Sequence, residues 1–188
     1  MKILFIDTET GGLDATKHSL LTIALAVYSH GNILAEQEYI VKYKEYVVTA
    51  KALEVNKINL VEHDSIATES SIVVQQIQMY IHRNFREDEK VIIAGHNIEF
   101  DNGFLTQLFE NENEQWSKLV SHRKLDTCSL MNYLMVTGKI DIKSASLESS
   151  IKHFEIETKA RHTAEDDVRA TIKLFECINK IIGGDSWL

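Results

Sequence analysis

The chain has 188 residues, 44% of them apolar and 26% charged, the composition of a soluble globular protein long enough to bury one core, so residues 1–188 read as a single domain. Its 20 basic and 28 acidic residues leave a net charge of −8, which argues against a broadly cationic surface that coats nucleic acid; acids that hold cations could still reverse the field locally. No apolar run approaches the ~20 residues of a membrane span, no signal-peptide pattern opens the chain, and Cys128 and Cys177 are too few for a disulfide scaffold or a Cys-based zinc site. A cytoplasmic protein with reduced core thiols is expected.

The first predicted element is a strand from Ile3 into Asp7-Thr-Glu9. Ile3 and Phe5 share one face and Leu4 and Ile6 the other, the pattern of a strand covered on both sides. Asp7 and Glu9 project the same way, roughly 6–7 Å apart. Such a pair reads either as two solvated acids where a strand runs out or as oxygen ligands of a hard divalent cation. After the Gly11-Gly12 turn, Leu20 to Tyr28 predicts a second strand, and His30-Gly31-Asn32 a hairpin into a third, Ile33 to Val41. Helical spacing follows at Thr49–Ile58 (Leu53, Val55, Ile58) and at Thr68–Phe85 (Ile72, Val73, Gln76, Ile77, Tyr80, Ile81).

Val91 to Ala94 predicts a short buried strand, then Asn97 an N-cap of a helix through Phe109. Residues 110–114 read as a loop, and Asp126 as the N-cap of a helix through Val136. Ser146 caps a short helix ending near Phe154. Thr163-Ala-Glu-Asp166 resembles a capping box opening a final helix to Ile182, with Val168, Thr171, Ile172, Phe175 and Ile178 inward and Gly183-Gly184 as its stop. A meander followed by alternating helices and strands is α/β.

Two further acids fall near predicted helix N-termini, Asp101 and Asp167, where the helix dipole lessens the cost of negative charge. His162 stands just before the second. Four acids and a histidine suit a two-metal phosphodiesterase, in which paired cations stabilise the attacking and leaving oxygens. Spacing alone does not bring them together in space.

The local words are more specific. Asp7-Thr-Glu9, His96-Asn-Ile-Glu-Phe-Asp101 with Gly103-Phe-Leu105, and His162-Thr-Ala-Glu-Asp-Asp167 occur in order along the chain. Together they resemble the three motifs of the DnaQ-like DEDDh 3′–5′ exonucleases, D-x-E, H-N-x-x-F-D and H-x-A-x-x-D, over residues 3 to about 180. Leu125-Asp126-Thr127 also looks like that family's recurrent L-D-T segment. In these patterns the acids are Asp101 rather than Glu99 and Asp167 rather than Asp166.

The resemblance implies a ribonuclease H-like fold, a mixed central β-sheet flanked by α-helices. It implies two Mg²⁺ ions, with Mn²⁺ able to substitute, held by Asp7, Glu9, Asp101 and Asp167, and His162 as general base. Thr8, Thr10, Gly11, Gly12, Leu13 and Phe104 are the implied substrate contacts: backbone N–H groups from the turn, a wedge at Leu13, and stacking at Phe104, whose alternative is plain core packing. Gly11 stands where the family often has a second threonine. His96 reads as a structural hydrogen-bonding residue, and Lys57 either as a phosphate contact or as solvated.

The expected activity is removal of nucleotides from the 3′ end of single-stranded nucleic acid, with DNA slightly favoured. The alternatives are an RNA trimmer like ribonuclease T or oligoribonuclease, and a non-catalytic 3′-end-binding module. The partners expected are single-stranded DNA or RNA 3′ ends and no membrane. The short segment after the last helix carries no evident polymerase-binding tail, which suggests a freestanding nuclease; monomer and homodimer both stay open.

Overall fold

The computed structural model describes residues 1–158 and 163–183. A six-stranded mixed sheet forms the centre: β1 (Ile3–Thr10), β2 (Leu20–Ser29), β3 (Asn32–Lys42), β4 (Thr68–Glu69), β5 (Val91–Gly95) and β6 (Val120–Asp126), in the order β4-β3-β2-β1-β5-β6. β1, β2 and β3 form the expected antiparallel meander, while β5 and β6 run parallel to β1. The helices are α1 (Ala50–Asn56), α2 (Leu60–Ile66), α3 (Ser70–Asn84), α4 (Ile98–Asn111), α5 (Trp116–Leu119), α6 (Thr127–Val136), α7 (Leu147–His153) and α8 (Ala164–Gly183). No helix among the described residues is long and apolar enough to cross a membrane.

The alternation of β1 assigns its neighbours. Leu4 and Ile6 face a core built with Val73 and Ile77 of α3 and Leu105, Leu108 and Phe109 of α4. Ile3 and Phe5 face α8, meeting Val168, Ile172 and Phe175. On that face β2 contributes Ala24 and Ala26, both buried, so α8 can lie close to the sheet. Asp7 pairs with Ala24, and Ala24 with Glu38, which places two acids of one row on either side of a methyl group. Behind α8, Leu174 and Ile178 pack on Met131 and Leu134 of α6. That explains why α8 buries more than the single stripe predicted from its sequence.

Several boundaries differ from expectation for identifiable reasons. β6 was not anticipated because Ser121-His-Arg-Lys124 has no apolar alternation; its strand form comes from pairing with β5. The two-residue β4 interrupts the start of the helix expected from Thr68, and α2 was not anticipated at all. In α3, Ile72 is 45% exposed while Val74 is buried, so the inward stripe is rotated from the predicted one. Val55 of α1 likewise points outward. Asn97 precedes α4 as expected but does not cap it: it sits at φ 65°, ψ 45°, and its side chain makes no capping bond. Asp126 and Ser146 do cap α6 and α7.

The closeness of α8 to β2 makes a test. Ala24→Leu should push α8 off the sheet and destabilise the protein by roughly 1–3 kcal/mol, the usual cost of overpacking. Urea unfolding measures the loss, and divalent-cation binding should weaken with it, because α8 carries Asp167.

Candidate active site

The site lies where β1 ends. Ladder pairing with β2 shifts by one residue between Glu9 and Thr10, so the strand closes on a bulge just past its two acids. Asp7 and Glu9 point to the α8 side, where Asp167 sits in the first helical turn. One oxygen from each of Asp7, Glu9 and Asp167 lies within 4.8 Å of the other two. Among the described residues no other trio of His, Cys, Asp or Glu comes together in this way.

Asp101 approaches from the opposite layer. It is buried (4% exposed) and accepts a 2.7 Å hydrogen bond from the hydroxyl of Thr8, whose side chain alternates to the α4 face. β5 delivers α4 to this point through Gly95, where a Cβ would fall 2.9 Å from the Ile6 carbonyl oxygen. Only glycine lets the two backbones pass so closely. Glu99, the other acid in that word, turns away to pair with Lys124 at 2.7 Å. Asp166 lies 3.8 Å from Arg169, and its N–H donates to Thr163 Oγ1 at 3.3 Å. His162 lies outside the described residues.

The acids are held in tension. Burial raises the Asp7 carboxyl well above the usual range, and repulsion from Asp101, Asp167 and Glu9 raises it further. Glu9 is pushed up to about 8 by burial, then by Asp167, Asp101 and Glu38. Asp101 is raised to about 7 by burial, against which the Thr8 hydrogen bond works. Hard oxygen donors crowded at one point, each reluctant to ionise beside the others, fit a divalent cation.

The turn after β1 is braced rather than loose. The Gly11 N–H donates to Ser19 O at 2.7 Å, and Gly11 O accepts from Thr49 N at 2.7 Å. A Cβ on Gly11 would meet Val47 O at 2.4 Å, and one on Gly12 would meet the His18 ring at 2.4 Å. The Thr10 hydroxyl donates to Gly12 O at 2.8 Å, and Asn56 Nδ2 donates to Thr10 O at 3.2 Å. Leu13 stands at the tip, 87% exposed.

Three of the implied contacts have partners within the protein. The Gly11 N–H is committed within the turn and is no free donor. The Thr8 hydroxyl donates to Asp101. Phe104 is buried (2% exposed) against Phe100, so it offers no open face for stacking. His96 bonds Thr127 Oγ1 at 3.0 Å and has a structural place, while Lys57 is exposed in the left-handed residue that ends α1.

The model of the family described as Exonuclease matches residues 4–175. The chain belongs to that family, the DnaQ-like 3′–5′ exonucleases. It is accordingly a phosphodiester hydrolase. Ribonuclease T of Haemophilus ducreyi is 24% identical over 92% of this chain and 82% of its own length. The DNA polymerase III epsilon subunit of Treponema pallidum is 24% identical over 90% of this chain and 72% of its own. Escherichia coli exonuclease I, solved with a dT13 oligonucleotide, superposes with a TM-score of 0.84 at 20% identity, over 97% of this chain and 42% of that one. The fold is ribonuclease H-like. Membership in this family carries divalent-metal dependence.

The titration of the site gives a prediction. Glu9 and Asp101 bind protons more tightly folded than unfolded, so their contribution to stability is complete below about pH 4 and lost as pH rises through about 7 to 8. In EDTA the melting temperature should fall between pH 5.5 and pH 8. Glu9→Gln should flatten that fall, and Mg²⁺ at pH 8 should reverse it, as differential scanning fluorimetry would show.

Proposed function

We propose that this exonuclease removes nucleotides one at a time from the 3′ end of single-stranded nucleic acid, with DNA the leading substrate, by a two-metal mechanism with a histidine general base. The convergence of Asp7, Glu9 and Asp167 at the end of β1, with Asp101 behind them, carries the reading. Asp7, Glu9 and Asp167 would hold one cation, and Asp7 and Asp101 a second; Mg²⁺ suits an all-oxygen donor set and Mn²⁺ can replace it. When bound, such ions neutralise charge on the phosphate and lower the pKa of water.

The chain's own residues supply the rest. His162 is proposed to take the proton of the attacking water: imidazole titrates near neutrality, while each nearby carboxylate is committed to a cation. Thr8 fixes the Asp101 carboxylate beside β1 by donating to it. Leu13, an exposed apolar side chain on a turn held by hydrogen bonds at Thr10, Gly11 and Asn56, is placed to press on a terminal base. A wedge of that kind needs an unpaired, splayed end, hence a single strand. Thr10 and Gly12 remain the turn's proposed substrate contacts.

A second reading, trimming of RNA, is favoured by the match to ribonuclease T across most of both chains. Digestion of matched 3′- and 5′-labelled DNA and RNA oligonucleotides, with and without EDTA, separates the two. Faster loss of the 3′ label from DNA supports the leading reading, faster loss from RNA the second, and cleavage of a circular single strand refutes exonucleolytic action.

Two substitutions test the assigned roles. Asp7→Ala should abolish hydrolysis while the circular dichroism spectrum stays native. His162→Ala should lower turnover by about 10²–10⁴-fold with little change in Mn²⁺ affinity, the reach of a general base.

A further inference from the structure

Asp126 and Thr127 have no part in the reaction as described, yet they hold one corner of the site. The Asp126 carboxylate serves two helices. Oδ1 accepts from Cys128 N at 3.2 Å and Oδ2 from Ser129 N at 3.1 Å, capping α6. The same Oδ1 accepts from Asn97 N at 2.7 Å, where α4 begins. Because Asn97 is left-handed and its own side chain caps nothing, α4 is gripped at its start by a residue from another strand. These bonds outweigh burial and keep the Asp126 carboxyl below its usual range.

Thr127, fully buried, extends the grip. Its hydroxyl donates to Gly95 O at 3.0 Å and lies 3.0 Å from His96 Nδ1, with which it shares a hydrogen bond. Residues 95, 96 and 97 are thus each tied to Asp126 or Thr127. Asp101 lies in the first turn of α4, and its buried carboxyl is repelled by the other acids. Where α4 starts decides where Asp101 stands.

We infer that Asp126, assisted by Thr127, is a positioning residue: its grip on the turn at 95–97 sets the helix that carries Asp101, and with it the separation of Asp101 from Asp7. The inference rests on the reading of Asp101 as a metal ligand. Asp126 also adds repulsion at Asp101, so grip and charge make different predictions. Asn keeps Oδ1 as an acceptor for Asn97 but removes the charge, whereas Ala removes both.

The experiment uses the full chain and four variants, Asp126→Ala, Asp126→Asn, Thr127→Val and Ser146→Ala, the last removing a cap from α7 only. Hydrogen exchange of the amides at 98–101 is measured without metal, and Mn²⁺ binding by calorimetry. Asp126→Ala should speed that exchange at least tenfold and weaken the weaker Mn²⁺ site at least tenfold. Asp126→Asn should stay within about threefold of wild type, and Thr127→Val should fall between. Ser146→Ala should lower the melting temperature and change neither readout. Wild-type exchange and binding in Asp126→Ala, or equal impairment in Asp126→Asn, overturns the inference. Asp101→Asn serves as reference: unchanged Mn²⁺ stoichiometry there overturns the ligand reading, while the exchange result still judges the grip.

Discussion

Crowded carboxylates at the end of β1 set the terms for the rest of the structure. Two unit charges about 4 Å apart at the edge of a protein repel by about 4 kcal/mol, whereas a helix cap contributes about 1 kcal/mol. No single hydrogen bond could keep Asp7, Glu9 and Asp167 together as charged groups. Rigid packing and a compensating cation can. The site therefore sits at the end of a central strand covered on both faces, with each further acid carried on a helix anchored in a core of its own. Protonation is the alternative way to relieve the repulsion, and the raised carboxyls of Asp7, Glu9 and Asp101 report it.

The two layers solve different problems. On the α8 side the task is closeness, met by Ala24 and Ala26 and by the bidentate pairing of Arg169 with Glu36, at 2.8 and 3.0 Å, which ties the helix to β3. On the α4 side the task is direction. Asp101 must reach around the end of the sheet, and Gly95, Thr8 and the Asp126–Thr127 pair each constrain that path. One strand supplies both layers, because Asp7 and Glu9 alternate with Thr8.

Much of this was legible in the residues. The two-faced pattern of β1, the hairpin at His30-Gly31 and the caps at Asp126 and Ser146 all rest on local rules that the fold obeys. What escaped is tertiary in origin. β6 is a strand only because β5 lies beside it, and no alternation announces it. The second hydrogen bond of Asp126 reaches back to Asn97, and no sequence rule for caps looks that far. The Gly11 N–H looked available for a ligand because its partner, Ser19, lies across a turn. Phe104 lies in a motif word, yet its helical position turns it into the core.

β6, the strand hardest to foresee, also closes one margin of the sheet. An unpaired margin is a template onto which another molecule's strand can add, the first step toward aggregation. Here that margin carries His122, Arg123 and Lys124, two of them exposed, and charged side chains oppose such pairing. The opposite margin, β4, is only two residues long and offers almost nothing to extend. The run of polar residues that hid β6 from a reading of the sequence is also what opposes the addition of a further strand at that margin.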